Sequence, residues 1–286
     1  MANFPSDQEP AGTGANQQSI DNSYSEFNTF SNVYESPDSS SGADTNPSNR
    51  KSKKVARIAD SSWVNPFLKA PFQYKEAFLS LRTNISFLAA TDDLKSIIIT
   101  SSVPGEGKTS VAVNLALALS AANNSVLLID ADLRKPNVHK LLNITDGSKY
   151  GLTNMLYEKG ATTDVCIRHR VDRKGLSVLP CGVVPPNPTE LLGSARVKQL
   201  LIQLKNTYDF LIIDSPPVTV VTDAAILSQH ADGILFVVRQ RKVTFEQARQ
   251  AKRHLNTIEA NILGVVMNDF SYKYVDKSYN YYYHYY

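Results

Sequence analysis

Between about residues 72 and 270 the apolar positions fall into two alternating textures. Short, almost continuous apolar runs occur at Ser96–Thr100 (SIIIT), Ser125–Asp130 (SVLLID), Leu176–Leu179, Phe210–Asp214 (FLIID), Gly233–Val238 (GILFVV) and Ile262–Met267 (ILGVVM). Longer stretches carry apolar residues at helical spacing, as in 73–90, where Phe78, Leu81, Ile85 and Leu88 share a face. Strands that are apolar on both sides and alternate with helices predict a parallel sheet covered on both faces. Right-handed crossovers then give a doubly wound α/β domain from 72 to 270, in a single unit without internal repeats.

The two ends lack this texture. Residues 1–49 hold seven acidic groups and no Lys or Arg, and 17 of the first 50 residues are Ser or Asn. Such a segment buries too little surface to offset its chain entropy, so 1–60 reads as a disordered polar tail. The tail ends in a basic linker, Arg50, Lys51, Lys53, Lys54 and Arg57, which is suited to solvent or to acidic headgroups at a membrane face. At the other end, residues 271–286 contain eight of the chain's 14 tyrosines and read as a flexible tail.

Composition narrows the class. The 286 residues are 42% hydrophobic, and 30 basic against 27 acidic groups are too balanced to argue for nucleic acid as a partner. The N-terminus has neither a basic n-region nor an apolar h-region, and no apolar stretch reaches the ~18–20 residues of a membrane span. Cys166 and Cys181 form no CxxC and suit a reducing compartment as separate thiols. None of the five histidines has metal-ligand spacing. A cytoplasmic protein is expected.

The chemistry lies at strand ends. Ile97–Thr100 leads into Ser-Ser-Val-Pro-Gly-Glu-Gly-Lys-Thr-Ser (101–110) and then into a helical pattern, the order that a Walker A loop requires. Pro104, Gly105, Glu106, Gly107, Lys108, Thr109 and Ser110 would wrap phosphates, because two glycines let successive amides converge at a helix N-terminus. Lys108 would reach the β- and γ-phosphates, and Thr109 would ligate Mg²⁺. Ser102 stands where GxxxxGK[ST] has its first glycine. Two more runs end in carboxylates: VLLIDADLRKP (126–136) with Asp130 and Asp132, and FLIIDSPPV (210–218) with Asp214. An Asp at the C-terminal end of a parallel strand faces the crevice where doubly wound folds bind ligands. Asp214 reads as the Walker B carboxylate, and Asp130 and Asp132 are placed to share metal binding and hydroxyl activation. Arg134 and Arg239 read as cations in surface pairs.

The set PGEGKT, DADLR and IIDSPP resembles the bacterial tyrosine kinases of the capsule and exopolysaccharide type, the CpsD/CapB family. GLTNML (151–156) and PPNPTELL (185–192) extend the likeness over about Gln73–Asn268. The resemblance implies a P-loop NTPase fold of the MinD/ParA kind and an ATP- and Mg²⁺-dependent protein-tyrosine kinase. Catalysis would rest on Lys108, Asp130, Asp132 and Asp214, the metal on Thr109, Asp132 and Asp214, and Asn268 would approach the adenine. The resemblance also gives the C-terminal cluster a role. Tyr272, Tyr274, Tyr279, Tyr281, Tyr282, Tyr283, Tyr285 and Tyr286 would be phosphoacceptors offered to a neighbouring subunit. Glu76 and Arg82 match an ExxRxxR pattern that ties family members into a ring, with Leu79 in place of the central arginine. Further implied partners are a separate transmembrane activator (a chain-length regulator) recruiting the chain to the inner face of the plasma membrane, a cognate tyrosine phosphatase, and sugar-processing enzymes as substrates.

Two other readings share the motifs. A MinD/ParA-type switch ATPase has a KGGxGKT loop whose signature lysine falls at Val103 here, with Pro104 at its first glycine. A nucleotide-binding scaffold of a polysaccharide machinery would need no phosphotransfer, yet all the side chains for transfer are present. The absence of HRD and DFG segments excludes a eukaryote-type kinase.

Overall fold

The computed structural model describes residues 29–33, 70–158, 163–169 and 175–270. Eight strands make one sheet in the order β1-β8-β7-β2-β6-β3-β5-β4. They are β1 (Thr29–Val33), β2 (Ser96–Ser101), β3 (Val126–Asp130), β4 (Arg168–His169), β5 (Leu176–Leu179), β6 (Phe210–Asp214), β7 (Gly233–Arg239) and β8 (Ile262–Asn268). All neighbours are parallel except β4, which pairs antiparallel with β5. The six apolar runs each become a strand, within one residue at either end.

Alternate residues of each central strand feed two separate cores. Ile97 and Ile99 join one with Val126 and Leu128, whereas Ile98 joins the other with Leu127 and Ile129. The first core is covered by α1 (Phe72–Asp92) and α2 (Lys108–Ala121). Phe78, Leu81 and Ile85 of α1 are buried there, as their spacing predicts, each contributing about 1.5–3 kcal/mol. Helix α2 has 11 of its 14 residues buried, so it needs no polar face and can run beneath the centre of the sheet. The other face carries α6 (Pro188–Leu192), α7 (Ala195–Lys205), α8 (Asp223–Ser228) and α9 (Phe245–Thr257). Short helices α3 (Val138–Leu141), α4 (Leu152–Tyr157) and α5 (Thr163–Cys166) fill the connection from β3 to β4.

Two strands have no counterpart in the apolar pattern. β4 is only two residues long, and its Arg168 is buried against Asp146 at 2.8 Å. β1 corrects the reading of 1–60 as wholly without structure: Thr29–Val33 pairs in parallel with Val265–Asn268. The open edge of β8 supplies the backbone partners that Thr-Phe-Ser-Asn-Val lacks by itself, a contribution that local periodicity does not record. The rest of 1–69 and the tyrosine cluster 271–286 lie outside the described residues.

Candidate functional site

The glycine loop leaves β2 at the centre of the sheet and enters α2 at Lys108. Gly105 and Gly107 take φ of 83° and 87°, a left-handed region that other residues enter only with strain. At Gly107 space forbids a side chain as well, since a Cβ would lie 2.0 Å from Asn268 Nδ2. The loop is tied down on every side. Glu106, fully buried, accepts hydrogen bonds from the amides of Val103 (2.7 Å) and Arg239 (3.2 Å). Arg239 Nη1 donates to the Gly105 carbonyl (3.2 Å), and Asn268 Nδ2 donates to that of Glu106 (2.8 Å). Burial raises the Glu106 carboxyl above its ordinary range against these bonds. The hydroxyl of Thr219, in the loop after β6, donates to the carbonyl of Ser102.

The carboxylates converge on the first turn of α2. Adjacent strands β3 and β6 put Asp130 and Asp214 in register. Thr109 Oγ1 donates to Asp214 Oδ2 at 2.7 Å. Lys108 Nζ lies 2.9 Å from Asp132 Oδ2 and 3.8 Å from Asp214 Oδ1. Burial alone would lower the Lys108 ammonium, but Asp214 and Asp132 outweigh it and hold it above its usual value. Asp214, completely buried, is pushed up to about 6 by loss of solvent, against the pull of Lys108 and Thr109. Burial and the neighbouring Asp214 raise Asp130 well above the carboxylate range.

Asp130 has two different oxygens. Oδ2 accepts from the amides of Asn137 (3.1 Å) and Val138 (3.0 Å) and so closes the start of α3. Oδ1 is buried with no hydrogen-bond partner, as is Asp214 Oδ1. Such orphans are costly without a ligand to complete them. Asp214 Oδ1, buried and unsatisfied beside the Thr109 hydroxyl, fits a hard cation. Mg²⁺ of phosphate sites takes only one or two protein carboxylates and fills its remaining positions with water and phosphate.

Comparison with known proteins places this geometry. The family model for the NUBPL iron-transfer P-loop NTPase, of the ParA group, matches residues 94–284. The chain is 42% identical to the tyrosine-protein kinase YwqD of Bacillus subtilis over 68% of this chain and 80% of that one. It is 36% identical to the tyrosine-protein kinase CpsD of Streptococcus agalactiae over 73% and 88%. The kinase domain of the Escherichia coli tyrosine kinase ETK superposes with a TM-score of 0.69, at 28% identity over 90% of this chain and 94% of that one. The chain belongs to the bacterial tyrosine kinase family. MinD from Pyrococcus furiosus shares the fold at a lower TM-score of 0.53, with 26% identity over 62% and 73%.

In this kinase-family chain Pro104 to Ser110, Lys108, Asp130, Asp132, Asp214 and Asn268 gather at one end of the sheet, as the motifs require. As a P-loop NTPase the chain binds nucleotide. Glu76 and Arg82 lie on α1 outside this gathering, Glu76 exposed and Arg82 half-buried. Two arginines expected in surface pairs prove more deeply engaged. Arg239 braces the glycine loop while pairing with Asp269 (3.1 Å). Arg134 Nε and Nη2 grip the fully buried Asp223 at 2.8 and 3.2 Å, and Nη2 reaches Thr189 at 2.8 Å. This clamp joins the Asp132 loop to α6 and α8. Its one sequence signal is that Arg134 and Thr189 lie within motifs already singled out and Asp223 follows one. A cavity of 310 Å³ between α9 and β8 is lined by no motif residue. Among the described residues no helix is long and apolar enough to cross a membrane.

Proposed function

We propose that the chain transfers the γ-phosphoryl group of ATP to tyrosines of its own C-terminal cluster, Tyr272 to Tyr286, presented by a neighbouring copy. The observation that carries this reading is Lys108, held between Asp132 and Asp214 at the mouth of a braced glycine loop. The loop amides and Lys108 bind and orient the phosphates and neutralise charge on the migrating group. Mg²⁺ would be held by Thr109, Asp214 and Asp132, and it supplies further neutralisation of the phosphate oxygens. A phenol with a pKa near ~10 is a weak nucleophile at neutral pH. Asp130 accepts its proton at the unpartnered Oδ1, where a raised pKa makes the carboxylate a stronger base. Asn268, beneath Gly107, approaches the adenine.

The family suggests the wider setting: regulation of capsular or extracellular polysaccharide synthesis and export. A transmembrane activator recruits the chain to the inner membrane face, α1 joins a ring through Glu76 and Arg82, a phosphatase reverses the modification, and sugar-processing enzymes serve as further substrates. Intact-mass and phosphosite mapping before and after MgATP, alongside Lys108→Met, tests the core of this reading. Phosphate on Tyr272–Tyr286 in the wild type and none in the variant is the expected result. A tail left unmodified even with an activator segment, while ATP is still hydrolysed, would replace the kinase by a switch ATPase.

A further inference from the structure

The chain's positive charge is concentrated far beyond what its balanced total suggests. Residues 239–254 hold six Lys or Arg and one acid, Glu246; residues 50–57 hold five and none. These 24 positions therefore carry 11 of the 30 basic residues. The first segment spans the end of β7, the following turn and most of α9, which connects β7 to β8, and the second belongs to the connection from β1 to α1. Strands β1, β8 and β7 are consecutive at one edge of the sheet.

Helix α9 is a rigid carrier for this charge. Ala251 and Leu255 anchor its inner side in the core. Its start is fixed by a reciprocal cap, Gln247 N to Thr244 Oγ1 (3.2 Å) and Thr244 N to Gln247 Oε1 (2.9 Å). Arg241, Lys242, Arg249, Arg253 and His254 are exposed on or just before it. Glu246, the one acid within 239–254, pairs with Arg253 at 2.8 Å. Beside these cations Phe245 is 51% exposed, with Arg249 over its ring at 4.9 Å. An exposed aromatic capped by a cation on a helix of otherwise polar outer surface is the composition of a segment that lies in a headgroup layer.

We propose that α9 and the turn before it form a docking face for an anionic lipid surface, so that the chain makes a membrane contact of its own. The cations meet lipid phosphates, each adding about a fivefold gain in partition, and Phe245 enters the acyl boundary. A polynucleotide would satisfy the cations equally but gives Phe245 no apolar phase to enter, which favours lipid.

Flotation of the purified full chain with mixed phosphatidylglycerol–phosphatidylcholine vesicles, against pure phosphatidylcholine, tests this. The chain should float only with the anionic vesicles, and less as salt rises. Arg249→Gln with Arg253→Gln should weaken partition about thirtyfold. Phe245→Ser should weaken it several-fold, with thermal melting confirming that both variants fold. The proposal is overturned if the chain ignores the anionic vesicles or floats equally with both. It is equally overturned if neutralising Lys51, Lys53 and Lys54 abolishes flotation while the α9 variants do not, or if duplex DNA at equal phosphate strips the chain from the vesicles.

Discussion

Two pairs of aspartates sit at opposite ends of the sheet's strands, and the chain treats them in opposite ways. At the ends where β2 and β3 begin, Asp232 accepts from the amides of Lys95 (2.9 Å) and Ser96 (2.7 Å), the Ser96 hydroxyl and the Lys205 ammonium. Asp209 likewise takes the amide (2.7 Å) and hydroxyl (2.8 Å) of Ser125. Burial alone would raise Asp232, but Lys205 and the amides outweigh it and hold the carboxyl below its ordinary range; the bonds from Ser125 lower Asp209. At the other end Asp130 and Asp214 are raised, and each keeps a buried oxygen without a hydrogen-bond partner. The same residue type pins the sheet together where its bonds are complete and stays poised for a ligand where they are not. Incomplete satisfaction, more than the presence of carboxylates, marks the working end.

Exchanging the oxygens sharpens this contrast most. Asp214→Asn should lower phosphoryl transfer by roughly 10³-fold or more, while leaving thermal stability at pH 7 unchanged or raised, because a buried, poorly compensated charge is removed. Asp232→Asn should do the reverse, costing about 1–3 kcal/mol of stability with kcat retained in the folded fraction. Paired denaturation and kinase assays decide it. A large loss of stability in Asp214→Asn would mean that both ends are structural.

The glycine loop offers the next largest effect. Gly107→Ala puts a methyl group into Asn268 and imposes a left-handed φ on a residue with a side chain. A loss of about 2–3 kcal/mol in stability and a marked loss of nucleotide affinity are expected, measured by melting and by fluorescent-nucleotide titration. Adding Asn268→Ala removes the clash but not the strain, so it should restore only part of the stability. Full restoration would show that the backbone conformation costs nothing.

The legibility of these features followed the range of the interaction. Ile97–Ile99 and Leu127–Ile129 announced buried strands because each run satisfies a local pattern, and the three motifs foretold which residues gather at one end of the sheet because loop, helix and strand end are contiguous in sequence. β1 was not legible, since Thr29–Val33 acquires its partners only from β8, more than two hundred residues away. The Arg134 clamp was missed for the same reason, its three members coming from three connections. Nor does the motif reveal that Asp130 spends one oxygen on the amides of α3, because a strand-end Asp looks the same whether it caps a turn or faces a ligand.

Acid should separate the two ends by the sign of their response. Asp214 in the native state stands at about 6, against ~3.9 unfolded, so between these values the native state holds the extra proton. Its contribution therefore makes stability fall as pH rises from about 4 to 6, by on the order of 2 kcal/mol. Asp232, held low, contributes stability that is present above about 4 and is lost as pH falls further. Melting profiles from pH 3 to 8 should show the rising-pH loss reduced in Asp214→Asn, to the share that buried Asp130 contributes, and kept in full in Asp232→Asn. Mg²⁺-dependent nucleotide affinity should decline as pH drops through about 6, where Asp214 takes up its proton. Parallel profiles for wild type and Asp214→Asn would mean that the lone oxygen already has a partner in solution.

The smallest effect concerns the clamp that couples the working end to the helices behind it. Arg134→Lys keeps the charge and loses the fork that spans Asp223 and Thr189. Arg134 is partly exposed, so the stability cost should be about 1 kcal/mol or less. Its catalytic consequence should be the more visible. Arg134 stands two residues after Asp132, whose carboxylate holds Lys108, and a looser clamp lets that carboxylate wander. A several-fold fall in kcat with an almost unchanged KM for ATP is expected, because the glycine loop proposed to bind ground-state phosphates is braced independently by Glu106, Arg239 and Asn268. A rise in KM with kcat intact would show instead that the clamp serves the nucleotide rather than the transferring group, and that the two halves of the site are less separable than their hydrogen bonds suggest.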